Sequence, residues 1–208
     1  SDLPKEPEQP ELPEETAPAP TRPSHSGHHH STPSMTPQKD ETVKLCAGNA
    51  ELDSDKPFVL AGYGDGQLHE NDPITRAQFA VLLYRSLTDD SKAALAGSTS
   101  VFTDVPNDSW YRDAVSVFAS VGVLNGCNGF FRPNDNLTYG QLIAILTRFV
   151  DAKTAPMPDV PYAAHWAYKN IVTAAAYGWI QDAASVQPDR IVTRGEVVLL
   201  VNQIFSQC

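Results

Sequence analysis

The chain repeats itself, and that constrains its fold more than any other feature. Asp104-Val105-Pro106 recurs as Asp159-Val160-Pro161 at an offset of 55, and Arg132-Pro133 answers to Gln187-Pro188 at the same offset. Leu137-Thr138 returns as Val192-Thr193, while Trp110 and Gly122 return one position later as Trp166 and Gly178. An earlier partial copy shows in Asn71-Asp72-Pro73-Ile74-Thr75, which matches Asn134-Asp135-Asn136-Leu137-Thr138. A constant offset carried by Trp, Pro and Gly together is the signature of a repeat protein, whose copies bury apolar surface against one another.

Each full copy reads as two helices. An Asp-Val-Pro turn leads into a first helix, predicted over Trp110 to Val121 and again over Trp166 to Tyr177, with Gly122 and Gly178 as its stop signals. A turn (Asn125-Gly126, then Asn128-Gly129) follows, and a second helix opens on a Thr. Thr75-Arg76-Ala77-Gln78, Thr138-Tyr139-Gly140-Gln141 and Thr193-Arg194-Gly195-Glu196 share the form of a capping box, in which each partner satisfies an otherwise orphaned N–H of the other. Downstream apolar residues fall on one helical face in all three: Phe79, Leu82, Leu83, Leu87; Leu142, Ile145, Leu146, Phe149; Val197, Leu200, Val201, Ile204. The first copy lacks an Asp-x-Pro turn and a Trp, so its leading helix is expected to be missing. The fold class is mainly α, with repeats over 41–97, 98–152 and 153–208.

Residues 1–40 differ in kind. Nine of the chain's 17 prolines lie between Pro4 and Pro37, with few aliphatic residues, so this stretch reads as a disordered, extended stalk. Ser24-His25-Ser26-Gly27-His28-His29-His30 within it reads as low-complexity linker rather than a metal site. A net charge of -10 without a Lys/Arg cluster argues against nucleic acid and anionic membrane surfaces. No apolar run is long enough to span a bilayer, so no membrane insertion is expected. Three cysteines form no metal-ligand spacing. Gly64-Asp65-Gly66 lacks the spaced ligands of a calcium loop. His69 and His165 sit in no acid/base or nucleophile motif. The expectation is a protein that is not an enzyme and holds neither cofactor nor metal.

Arg76 and Arg194 are the candidate site. Each occupies the first position of a helix, where a cation works against the macrodipole. Either an acid from an adjacent copy compensates it, with Asp72, Asp104, Asp159 and Asp189 available, or an external anion is held jointly by the guanidinium and the helix N–H groups. Tyr139 replaces this arginine in the second copy. Trp110 and Trp166 read first as core residues and second as sugar-stacking faces. Asp104 and Asp159 read as turn residues bonded to local N–H groups.

Phe102-Thr103-Asp104-Val105-Pro106, Trp110, Gly122 to Gly126, Phe131 to Asn134 and Leu137-Thr138 together resemble the S-layer homology motif, and Thr75-Arg76-Ala77-Gln78 is similar to that family's Thr-Arg-Ala-Glu signature. The resemblance spans about residues 60–206. It implies three motifs in a pseudo-threefold helical assembly, with grooves that bind secondary cell-wall polysaccharide, often pyruvylated, and so tether surface proteins outside the bacterial cell. Arg76, Arg194, Tyr139, Trp110, Trp166, Asp104, Asp159 and Gly126 are the ligand-binding residues it implies. Binding of other envelope proteins by the same repeats is the competing reading. The sequence departs from the motif at the first leading helix, at Tyr139 and at Gln181-Asp182-Ala183-Ala184, which implies at most two strong grooves. If the copies close on themselves, Cys46 and Cys208 meet and a disulfide becomes possible.

Overall fold

The computed structural model describes residues 43–60, 62 and 66–208. The Pro-rich segment 1–40 with its histidine tract, and Gly64-Asp65, lie outside them. The described region forms one compact unit. It contains a two-stranded antiparallel hairpin, β1 (Cys46–Ala47) with β2 (Ala50–Glu51), and six α-helices. These are α1 (Arg76–Arg85), α2 (Asp89–Ala94), α3 (Arg112–Ser120), α4 (Tyr139–Leu146), α5 (Tyr168–Ala176) and α6 (Arg194–Phe205).

The three capping boxes form as the sequence predicts. In each, the Thr hydroxyl accepts from the third helical N–H while Gln78, Gln141 or Glu196 accepts from the Thr N–H. Arg76, Tyr139 and Arg194 are therefore the first residues of α1, α4 and α6. Thr138→Ala removes one such cap, and equilibrium denaturation should show a loss of about 1 kcal/mol with an unchanged slope.

The leading helices are shorter than expected. α3 and α5 begin two residues after their tryptophans, because the Asp-x-Pro turn continues: Arg112 N donates to Ser109 O at 3.1 Å and Tyr168 N to His165 O at 3.0 Å. Gly122 and Gly178 end these helices at φ +75 and +74, a conformation that residues with a Cβ rarely adopt. α2 is an added helix, opened by Thr88 accepting from Ser91 N, with Asp89 and Asp90 on the favourable end of the dipole. Gln181-Asp182-Ala183-Ala184 holds a short 3-10 turn over Ala183–Ser185, started by the Asp182 side chain.

The trailing segments meet at the centre through a closed ring of backbone bonds. Ile74 N donates to Val192 O (3.2 Å), Val192 N to Leu137 O (3.0 Å), and Leu137 N to Ile74 O (2.9 Å). All three residues are fully buried. Around this ring, the second helical N–H of each trailing helix also crosses to its neighbour: Ala77 to Pro133 O, Gly140 to Pro188 O, Gly195 to Glu70 O. A Cβ on Gly140 would lie 3.1 Å from Pro188 O, and one on Gly195 would lie 3.1 Å from Glu70 O. The position after each arginine or tyrosine is small because a neighbouring backbone passes over it.

Each leading half packs against the preceding trailing half: α3 on α1 and α5 on α4. No leading helix exists among the described residues of the first copy. Phe58 takes its place against α6. Its N–H and carbonyl both bond the Asn202 side chain, at 2.9 and 2.8 Å, and its ring meets Phe205 edge-on at 6.3 Å. A bidentate amide and one aromatic thus close the assembly where a helix is missing.

Two expectations are corrected. Trp110 and Trp166 are 65% and 60% exposed and do not seal the core; they stay in the turn ahead of each helix, while Trp179 is the buried tryptophan. Cys127 is exposed. Cys46 and Cys208 are free thiols. Cys46 lies in the hairpin opposite Glu51, and the Cys208 thiol turns back on its own helix to the Ile204 carbonyl at 3.4 Å.

Candidate functional site

A cavity of about 460 Å³ opens between the start of α1 and the turn that follows α3. Arg76 forms one wall. Its Nε donates to Phe131 O and its Nη2 to Asn125 O, both at 2.9 Å, and the guanidinium lies 4.6 Å from the centre of the Phe131 ring. Neither bond is to a carboxylate. Of the four candidate acids, Asp72 faces His69 at 3.1 Å and Asp189 faces His165 at 3.2 Å. Asp159 is exposed. Asp104 accepts from Phe131 N and Arg132 N, both at 2.7 Å. Asp104 is therefore a turn residue of a different kind from the one expected. Its partners lie 27 and 28 residues away, and it holds Arg132 in the left-handed region at φ +61.

A second cation, unremarked in the sequence, faces the same cavity. Arg148 donates through Nη1 to Val123 O at 2.6 Å, and the Asn125 amide, turned to donate to Leu124 O, accepts from Arg148 Nη2 at 3.1 Å. Burial pushes the pKa of both guanidinium groups down, and for Arg76 the charge of Arg148 adds to that effect while Asp135 opposes it. Both remain cations, since arginine does not lose its proton in proteins. Backbone carbonyls fix their planes and leave further N–H groups for a ligand oxygen. Arg132 lies at the rim, 3.7 Å from Asp135. The lining thus holds three guanidinium groups against one carboxylate, with exposed Trp166 and Phe130 beside them. This chemistry suits an anion carried on a body that can lie against an aromatic face.

Arg148 could be found from the sequence only as a basic residue ending the α4 face. Nothing local says that Val123 and Asn125 would hold it. Gly126 lines the cavity too, and a Cβ there would meet Phe130 O at 2.2 Å and the Phe102 ring at 2.5 Å.

The other candidates are elsewhere. Arg194 is 4% exposed, with Nε donating to Leu68 O at 3.0 Å. Trp110 stands edge-on to Tyr111, at 5.3 Å. Tyr139 is half-buried at a second cavity, with the Arg190 guanidinium 5.4 Å from its ring centre. Burial raises the Tyr139 pKa, so the phenol stays neutral at physiological pH. The structure therefore joins Arg76, Gly126 and Trp166 in one cavity and separates them from Tyr139.

Glu196, next to this second cavity, ties its own capping box to Arg190 at 2.7 Å. Burial raises its pKa, but the bonds from Thr193 and Arg190 outweigh that effect and hold it below the usual value. A carboxylate lowered in the folded state stabilises above its unfolded pKa and loses that contribution as pH falls through the folded one. Glu196→Gln should flatten the fall in stability below about pH 4.5, the ordinary range of a Glu carboxyl, as read by thermal unfolding at stepped pH.

Residues 101–143 match the S-layer homology domain. Over that segment the chain is similar to this family. The matched segment includes the turn that holds both cavity arginines. Three relatives extend the likeness. A cellulosome-anchoring protein of Acetivibrio thermocellus is 27% identical over 83% of this chain and 40% of its own length. The middle cell wall protein of Brevibacillus brevis is 28% identical over 57% of this chain and 10% of its own. A surface layer protein of Brevibacillus choshinensis is 31% identical over 43% and 8%. The chain spans two fifths or less of the length of these relatives. Two of the three are named for the cell wall or the surface layer, and the third for anchoring a cellulosome.

Proposed function

We propose that the folded region is a noncatalytic anchor that binds anionic, pyruvylated secondary cell-wall polysaccharide and tethers a surface protein to the bacterial envelope. Its three repeats are arranged with pseudo-threefold symmetry, and the Ile74–Val192–Leu137 hydrogen-bond ring supports that arrangement. The observation that carries the function is the pair of half-buried cations, Arg76 and Arg148, held by carbonyls and an amide instead of by acids. A pyruvate ketal presents a planar carboxylate on a sugar, which matches a guanidinium fork beside an exposed tryptophan. The chain's negative net charge slows encounter more than it weakens the bound state, because charges beyond about 8 Å are screened at physiological salt.

Calorimetric titration with isolated pyruvylated polysaccharide tests this. Arg76→Ala should weaken binding about 10- to 100-fold, the worth of a charge-assisted hydrogen bond or two. Arg194→Ala is a poor probe, since truncating a buried arginine endangers the fold. Unaltered affinity in a folded Arg76→Ala protein, or absence of wild-type binding to the polymer and to crude wall extract, overturns the anchor reading. The repeats would then be better understood as a scaffold for other envelope proteins.

A further inference from the structure

The second cavity, about 340 Å³, lies at the start of α4 as the first lies at the start of α1, yet its chemistry is different. Tyr139 stands where Arg76 stands. The charged side chains lining it are Arg190 and Asp182, one of each sign. Arg190 is further neutralised by Glu196 at 2.7 Å and is stacked on the Tyr139 ring. No surplus of positive charge awaits an anion there. The cavity carries neutral hydrogen-bonding groups instead: the Tyr139 phenol, the Ser185 hydroxyl, and the amides of Gln181, Gln187 and Gln203. The Gln187 and Gln203 side chains make no hydrogen bond among the described residues. Leu200 and Trp179, itself stacked on Tyr177 at 5.3 Å, supply an apolar wall. Amides and hydroxyls offer both donors and acceptors, as a sugar hydroxyl requires, whereas the first cavity's guanidinium groups only donate.

We propose that this second cavity is a subsite for an uncharged sugar unit, and that Tyr139 sets its preference for hydroxyl-bearing over carboxylate-bearing residues. The proposal rests on the polysaccharide-binding reading above. It makes the two cavities unequal: one reads the acidic substituent, the other the neutral part of the polymer.

The three tryptophans separate the possibilities. Trp166 lines the first cavity, Trp179 lines the second, and exposed Trp110 lines neither, so their indole N–H resonances report independently. The nitrogen-15-labelled chain would be titrated with oligosaccharide fragments of pyruvylated secondary cell-wall polysaccharide, then with the same fragments after mild acid removal of the ketal. With the native fragments, Trp166 and Trp179 should both shift while Trp110 stays still. With the depyruvylated fragments, the Trp166 response should weaken at least tenfold and the Trp179 response should persist. Gln203→Ala, on the exposed face of α6, should weaken the Trp179 response several-fold and leave that of Trp166 unchanged. A Trp166 response alone, or a Trp179 response lost with the pyruvate, overturns this inference and leaves the anchor reading standing. Silence from both tryptophans with the native fragments overturns both.

Discussion

Phe131→Ala is expected to lower the unfolding free energy by about 3–5 kcal/mol, the range for emptying a large buried aromatic site. Phe131 is 1% exposed and packs 5.7 Å from Phe102. Its ring is also the surface on which Arg76 lies, and its N–H and C=O are held by Asp104 and Arg76 respectively. Truncation therefore does two things. It leaves a cavity that the surrounding turn cannot fill, and it removes the platform that fixes the guanidinium plane. Denaturant titration should show the lower midpoint, and polysaccharide binding should fall with it even where the variant remains folded. A loss under about 1 kcal/mol would mean that the turn is held by its hydrogen bonds alone, with Asp104 and the short Cys127–Phe130 pairing sufficient.

Gly126→Ala is the second large effect, and its cause is steric. Asn125-Gly126 turns the chain so that Gly126 lies against the Phe130 carbonyl and the Phe102 ring, with 2.2 and 2.5 Å left for a Cβ. One of those neighbours is backbone and the other a packed aromatic, so neither yields cheaply. The Cys127–Phe130 pair, bonded in both directions at 2.9 and 3.0 Å, must open or shift. The expected cost is about 1–3 kcal/mol, as for other overpacked positions. The functional cost is greater, because Asn125 O and Phe131 O are the two anchors of Arg76. Paired measurements of melting temperature and polysaccharide affinity check this: affinity should fall by more than tenfold in protein that still melts cooperatively. Wild-type affinity in that variant would show that Arg76 does not need its two carbonyls to bind.

How far the sequence reaches depends on the range of each interaction. The three trailing helices, their first residues and their buried faces were legible because a capping box closes over three residues and an amphipathic stripe repeats within one helix. The glycine stops after α3 and α5 were legible for the same reason. Ala77, Gly140 and Gly195 carried a signal that could be seen but not interpreted. One small residue stands two positions after the capping Thr in each copy, and only the crossing backbones of the neighbouring copies explain it.

The site depended on longer connections. Arg76 and its partner Asn125 are 49 residues apart, and Asp104 reaches across 27 to hold the turn between them. Composition offered four aspartates as partners for Arg76, and the fold chose carbonyls. Whether Trp110 and Trp166 faced inward turned on where the Asp-x-Pro turn ended, a matter of two residues that periodicity cannot resolve. The closure of the first copy by Phe58 and Asn202, 144 residues apart, had no sequence signature at all. By itself the sequence determined the repeat, the three trailing helices and the residue types available for binding, since those follow from hydrogen bonds and spacing within a few residues. The tertiary structure alone decided which cations are held by carbonyls instead of acids and which aromatics face solvent, because those outcomes depend on how one copy docks on the next.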